Sequence, residues 1–207
     1  MSAVPAAVRP VAEQVLAAAL ARPPRLPGTR LVCVDGPAGS GKTTLAAVLA
    51  NLAAQHGSVD VLHMDDMLEG WRGLPGVLPR VAADLVDPLR SGRPGRYRRY
   101  DWAAGRFAET HTVGPVDVLV LEGVGSGGSA YDDAITTLVW VEVPRDLRLA
   151  RGVERDGEQV RAHWLTWMQD EDAVHARERT RERADILVDG TGGTPPVLRH
   201  RAGRSST

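Results

Sequence analysis

A three-layer α/β/α domain with a mainly parallel sheet is what this sequence predicts, on three observations. Short apolar runs alternate with segments of helical spacing along most of the chain, the pattern of a doubly wound sheet. The first of these runs, Leu31–Val34, opens directly into the glycine-rich segment Gly36–Thr43 ahead of a helix. A later run, Val118–Leu121, ends in an acid, Glu122. Continuous apolar runs of this kind suit strands that are buried on both faces.

The elements follow in order. Residues 5–22 read as a helix, with Val8, Val11, Val15, Leu16 and Leu20 at helical spacing, and the proline-rich run 22–28 ends it. After the strand at 31–34 and the glycine loop, residues 43–54 form a helix with Leu45, Val48, Leu49 and Leu52 inward. Residues 59–63 give a second strand, followed by Met64-Asp65-Asp66. The Gly- and Pro-containing stretch 69–78 reads as loop and 81–89 as helix; the basic, aromatic stretch 90–112 matches no element clearly. Residues 116–121 and 137–143 are strands, Pro144 opens a helix, a long polar helix covers 160–183, and 186–188 is a last short strand. The organisation expected is an N-terminal helix and lead-in over 1–28, the main domain over 29–190 and a flexible tail over 191–207.

Composition narrows the function classes. With 207 residues, 43% hydrophobic, 25% charged and a net charge of -1, the chain has the balance of one ordinary α/β domain. No basic excess points to nucleic acid, and no apolar stretch reaches the length of a membrane span or follows a secretory pattern. A single cysteine, Cys33, cannot form an intrachain disulfide, so a cytoplasmic location is expected. Of the 25 basic side chains, Lys42 is the only lysine. A chain that writes arginine everywhere else keeps the compact ammonium inside its glycine loop, where the broad guanidinium fork would not fit.

That loop carries the chemistry. Gly36, Gly41, Lys42 and Thr43 satisfy Gly-x-x-x-x-Gly-Lys-Thr between a strand and a helix, the sequence of a phosphate-binding P-loop. Glycines let successive N–H groups turn inward, and the helix N-terminus adds partial positive charge. Gly36, Ala38, Gly39, Ser40, Gly41, Lys42, Thr43 and Thr44 are therefore the expected nucleotide-binding residues, with ATP and Mg²⁺ as cofactors and Thr43 and Glu122 as metal ligands. Asp65 and Asp66, beyond the second strand, lie at the same carboxyl edge of the sheet and suit activation of a hydroxyl or a helix cap. Either carboxylate can serve as the base; Asp65 is preferred over Asp66, which is placed in the acceptor's surroundings. Arg148, Arg151 and Arg155 share one helical face, suited to a lid over phosphates or to a solvated stripe; Arg151 and Arg155 are assigned catalytic roles with Asp65 and Lys42. Tyr100, Asp101, Trp102 and Arg106, in the aromatic, basic stretch, are assigned to the acceptor.

These residues together resemble the uridine kinase and phosphoribulokinase-like group of P-loop kinases, and the chain is similar to short actinobacterial uridine kinase-like proteins. The resemblance runs over residues 30–190 in motif order. It places Asp65 of Asp65-Asp66-Met67-Leu68 at the family's catalytic aspartate, and Glu122-Gly123 at the Glu-Gly after the second acidic strand. Arg148, Arg151, Arg155 and Asp156 are similar to its lid motif. Tyr100-Asp101-Trp102 fits its Tyr-Asp-Phe segment, but Gly105 stands where the family has a base-reading histidine. The resemblance implies a P-loop NTPase fold with an arginine-bearing lid and transfer of the γ-phosphate of ATP to a small-molecule hydroxyl, a nucleoside ribose first among acceptors. It also leaves room for a homo-oligomer. A kinase of a non-nucleoside metabolite and a nucleotide-binding regulatory module without transfer activity are the alternative readings.

Overall fold

Eight strands and seven α-helices are assigned in the computed structural model, which describes residues 8–199. In chain order they begin with α1 (Val8–Leu20), β1 (Arg30–Asp35), α2 (Lys42–Ala53) and β2 (Val59–His63). There follow α3 (Leu74–Arg80), α4 (Asp87–Arg90), the hairpin β3 (Gly95–Asp101) and β4 (Arg106–Val113), then β5 (Val118–Glu122) and β6 (Ile135–Glu142). The chain continues through α5 (Arg145–Asp156), α6 (Arg161–Glu178), α7 (Thr180–Arg183), β7 (Ile186–Asp189) and β8 (Val197–Leu198).

The main sheet has the order β2-β5-β1-β6-β7-β8, parallel up to β7. Strand alternation splits its side chains into two cores. Leu31, Cys33, Leu119, Leu121 and Leu138 join the core under α3 and α6, while Val32, Val34, Val118, Val120 and Val139 join the one under α1 and α2. The N-terminal helix belongs to that second layer: Ala12, Val15, Leu16 and Ala19 are buried in it. Register sets the functional edge, because Val34 and His63 both stand opposite Glu122 where β1, β2 and β5 end.

Four expectations change. Residues 69–78 are not loop: Gly70–Arg72 form a 3₁₀ turn and Leu74 begins α3. Proline misleads there because Pro75 sits in the first turn of α3, where a missing N–H costs nothing. The helical rod then runs to Arg90 through a π-helical stretch, Val81–Val86, just after Pro79. The unassigned stretch is the antiparallel hairpin β3–β4, closed by Gly105 at φ +64°, whose N–H donates to the Asp101 carbonyl at 2.8 Å. The long helix over 160–183 breaks after Glu178, where Arg179 turns left-handed at φ 51°. Of the expected tail, residues 191–199 continue the fold, with β8 antiparallel to β7 and the Arg199 N–H on the Asp185 carbonyl; 200–207 lie outside the described residues.

Candidate active site

The phosphate loop is shaped by contacts no side chain could share. A Cβ on Gly36 would meet the Val141 carbonyl oxygen at 2.1 Å, and Gly36, Gly39 and Gly41 all have positive φ. Gly41 caps α2 without a side-chain bond, so the first-turn amides point toward the loop. Lys42 is buried and its Nζ donates to the Pro37 carbonyl at 2.9 Å, curled back over the loop.

Behind the loop stands an arrangement that sequence reading misses. Asp35, the last residue of β1, is fully buried; Oδ1 accepts from the N–H groups of Gly36 at 2.6 Å and Gly125 at 3.0 Å, and Oδ2 from that of Gly127 at 2.9 Å. His175 Nε2 lies 3.2 Å from Oδ1. Burial pushes this carboxyl up, but the bond to His175, its charge and the two amides of Gly127 and Gly36 outweigh it and hold the group below its ordinary value. One carboxylate thus ties the phosphate loop to the loop after Glu122. The only sequence signal for it was an acid placed directly before the first glycine.

Arg148 is the second surprise. It is not a lid residue in this structure: it is buried, its Nη1 is 2.5 Å from Glu171 Oε1, and its Nε donates to the Val143 carbonyl. The other oxygen of Glu171 accepts the Ala38 N–H at 2.8 Å and Trp167 Nε1 at 3.1 Å. The pair therefore clamps the phosphate loop from behind. The next two arginines of the stripe do face the cleft: Arg151 Nη1 donates to the Gly39 carbonyl at 3.2 Å, and Arg155 lies over the Trp164 ring at 5.7 Å while bonded to Asp156.

In front of the loop, a cleft of about 1060 Å³ gathers the expected chemistry. Thr43 Oγ1 donates to Glu122 Oε1 at 3.1 Å, and His63 Nδ1 lies 2.6 Å from the same oxygen. The bond to Glu122 raises the His63 imidazole above its ordinary value, against a smaller opposing effect of burial. Thr43 and Glu122 supply the hard oxygen ligands that Mg²⁺ takes, one or two from the protein and the rest from phosphate and water, so the residues fit that ion. Asp65 opens onto the cleft, yet the surrounding walls raise its carboxyl above the ordinary aspartate value; Lys42 and Arg155 draw it down, Glu122 and Asp66 push it up.

The acceptor assignments divide. Trp102 lines the cleft and its Nε1 donates to the Asp65 carbonyl at 3.1 Å. Asp101 instead accepts from the N–H groups of Ala103 and Ala104 and so forms the hairpin turn. Tyr100 is buried against Trp102 and Phe107, Arg106 stands opposite Asp101 in the hairpin register, and Asp66 ends the short turn Met64–Asp66; none of these three lines the cleft. One wall of the cleft is aromatic, and of its members only Trp164 and Trp167 were not expected there. Trp71 stacks on His163 and meets Trp102, Trp164 and Trp167 edge-on at 5.9–6.2 Å, and all four tryptophans line the cleft. Trp71 came from a stretch read as loop, and Trp164 and Trp167 read as core; they are both core and wall.

No family model matches the chain. A uridine kinase of Lactobacillus helveticus is 28% identical over 145 residues, covering 61% of this chain and 67% of that protein. A uridine kinase of Mycoplasma genitalium is 25% identical over 150 residues, covering 63% and 68%. The chain resembles P-loop kinases of the uridine kinase type. Among solved structures, a possible uridine kinase from Bacillus stearothermophilus shares the fold at a TM-score of 0.66 and 22% identity, covering 88% of this chain and 99% of that one. A candidate fructose transport system kinase from Silicibacter sp. TM1040 gives 0.53 and 28%, covering 86% and 94%. The mainly parallel sheet flanked by helices is common to these kinases and this chain. Among the described residues, no helix is long and apolar enough to cross a membrane.

Proposed function

We propose that this protein is an ATP-dependent small-molecule kinase that passes the γ-phosphate to a hydroxyl, with a nucleoside ribose as the leading acceptor class. The observation that carries this reading is the convergence, in one cleft, of the Lys42 loop, the Thr43–Glu122 oxygen pair and the raised carboxylate of Asp65.

The loop amides and Lys42 hold the phosphates; in binding, the Lys42 ammonium exchanges the Pro37 carbonyl for phosphate oxygens. Mg²⁺ held at Thr43 and Glu122 would neutralise phosphate charge. Asp65 accepts a hydrogen bond from the acceptor hydroxyl and takes its proton as the new O–P bond forms and the bond from the γ-phosphorus to the bridging oxygen breaks, ADP leaving with that electron pair. Its raised affinity for a proton suits that role, although positioning contributes most in phosphoryl transfer. Arg151 and Arg155 lie where they can meet charge on the transferring group. The tryptophan wall supplies flat apolar surface for a ring-bearing acceptor.

A second reading, a kinase of a non-nucleoside metabolite, is supported by one observation: of Tyr100, Asp101, Trp102 and Arg106, only Trp102 lines the cleft. The test is acceptor-dependent ADP release from Mg·ATP across nucleosides, sugars and small alcohols. Stimulation by uridine or cytidine supports the first reading and stimulation by a sugar or simple alcohol alone the second. ATP binding with no stimulation by any class would sink both in favour of a regulatory module.

A further inference from the structure

The chemistry above makes no use of the bond between His63 and Glu122, yet the sheet is built to form it. β2 and β5 run parallel with His63 opposite Glu122, and side chains at partnered positions stand on the same face. That face is the one α2 covers: Val61 and Val120, two residues back on the two strands, belong to the core beneath it. Thr43, in the first turn of α2, reaches Glu122 from the same side. An imidazole, a carboxylate and a hydroxyl from β2, β5 and α2 thus meet at the carboxyl edge of the sheet.

Their bonds fall unevenly on the carboxylate. Glu122 Oε1 accepts from Thr43 Oγ1 at 3.1 Å and lies 2.6 Å from His63 Nδ1. A carboxylate offers only lone pairs, so the hydrogen of the shorter contact sits on Nδ1, whichever state the other ring nitrogen takes. Oε2 takes no hydrogen bond among the described residues, although Glu122 is buried and lines the cleft. His63 is partly exposed and stands outside the cleft lining, so it grips the carboxylate without competing for what the cleft holds. One oxygen of Glu122 is therefore engaged twice, and the other is left to the cleft.

A carboxylate held in this way gives a cation one oxygen and not both. Mg²⁺ demands near-ideal octahedral geometry, whereas Ca²⁺ takes a larger and looser ligand set that often includes both oxygens of one carboxylate. We propose that His63 is a positioning residue that holds Glu122 as a one-oxygen ligand and so sets the site at Thr43 and Glu122 for Mg²⁺ over Ca²⁺. Groups behind a metal's ligands fix the orientation of those ligands, and their loss costs about 10–100-fold in metal affinity. Without the imidazole, Glu122 can turn and offer both oxygens, which weakens the hold on Mg²⁺ and removes the handicap of Ca²⁺. This inference rests on the reading of Thr43 and Glu122 as the metal ligands.

The test is equilibrium titration of the full chain with ATP, without acceptor, in EDTA, in Mg²⁺ and in Ca²⁺. Wild type should bind ATP more tightly with Mg²⁺ than with Ca²⁺ or in EDTA. His63→Ala should lose about tenfold on Mg·ATP, keep its affinity for Ca·ATP and bind ATP in EDTA as wild type does. His63→Asn, whose amide N–H falls where Nδ1 stood, should keep the wild-type preference. Equal losses by His63→Ala in all three media would reduce His63 to a structural residue and overturn the proposal. An unchanged ratio of Mg·ATP to Ca·ATP affinity would overturn the selection between the ions. A ratio in His63→Asn as low as in His63→Ala would overturn the hydrogen bond as its cause. Glu122→Gln separates the two readings: if it keeps the wild-type response to Mg²⁺, Glu122 is not the metal ligand, and the inference falls with that reading rather than through His63.

Discussion

Asp65 shows what a single residue can carry. Its position after the second strand was legible, because carboxyl ends of strands face ligand in such sheets. Its raised carboxyl was not, since that depends on cleft walls assembled from α6, the hairpin and the phosphate loop. Asp65→Asn should keep ATP affinity and lower kcat by about 10²–10⁴-fold. In the wild type, kcat should fall as pH drops through an inflection above the ordinary aspartate value of 3.8. Normal transfer by the Asn variant would remove Asp65 as the base. His63 makes a different pH signature. Its folded imidazole holds a proton more tightly than the unfolded chain does, so the pair with Glu122 stabilises below the ordinary value of 6.5, and that contribution disappears as pH rises through the raised value. Thermal melting of His63→Gln across this range should lack the wild-type decline; an unchanged pH slope would show that the pair is not linked to folding.

Elements explain where the hairpin and the arginine stripe departed from expectation. Motif spacing correctly put Arg148, Arg151 and Arg155 on one helix and one face, but the three are spread over about 10 Å of helix axis and so meet different neighbours. Arg148, on the buried side, meets Glu171 of a helix that begins only later in the chain, and no local pattern announces such a partner. Arg148→Met should remove about 3–5 kcal/mol of stability by leaving Glu171 buried and uncompensated, and should also weaken ATP binding as the grip on Ala38 loosens. Chemical denaturation and an ATP titration measure the two together; lost stability with intact ATP affinity would show that the clamp does not set the loop. The hairpin was illegible for a related reason. Its strands alternate charged and aromatic residues without an apolar face, and its register depends on a turn formed by Asp101 and Gly105.

At the scale of the whole molecule, the strands that build the parallel sheet were readable because burial on both faces writes them as continuous apolar runs. The strand order was not written anywhere in one segment, since β1 lies between β5 and β6, far from it in sequence. Nor was the place of α1, whose amphipathic spacing predicted a helix but not the layer it completes. Its buried face makes it part of the fold: Leu16→Ala should cost about 2–5 kcal/mol in a denaturant titration, and a value near zero would make α1 an appendage.

The buried ammonium of Lys42, folded back onto the Pro37 carbonyl, also makes the molecule its own occupancy gauge. With every other cationic side chain a guanidinium, an amine-acylating reagent finds just one side-chain target, and it is the group proposed to grip phosphate. Each acyl mass added to a lysine reports a molecule whose loop stood open at that moment. Peptide-resolved mass spectra after timed acylation should show slow labelling at Lys42 that Mg·ATP suppresses, while labelling of the α-amino group is unaffected. The extent of suppression at each nucleotide concentration then gives a binding curve without any turnover, and so without knowing the acceptor.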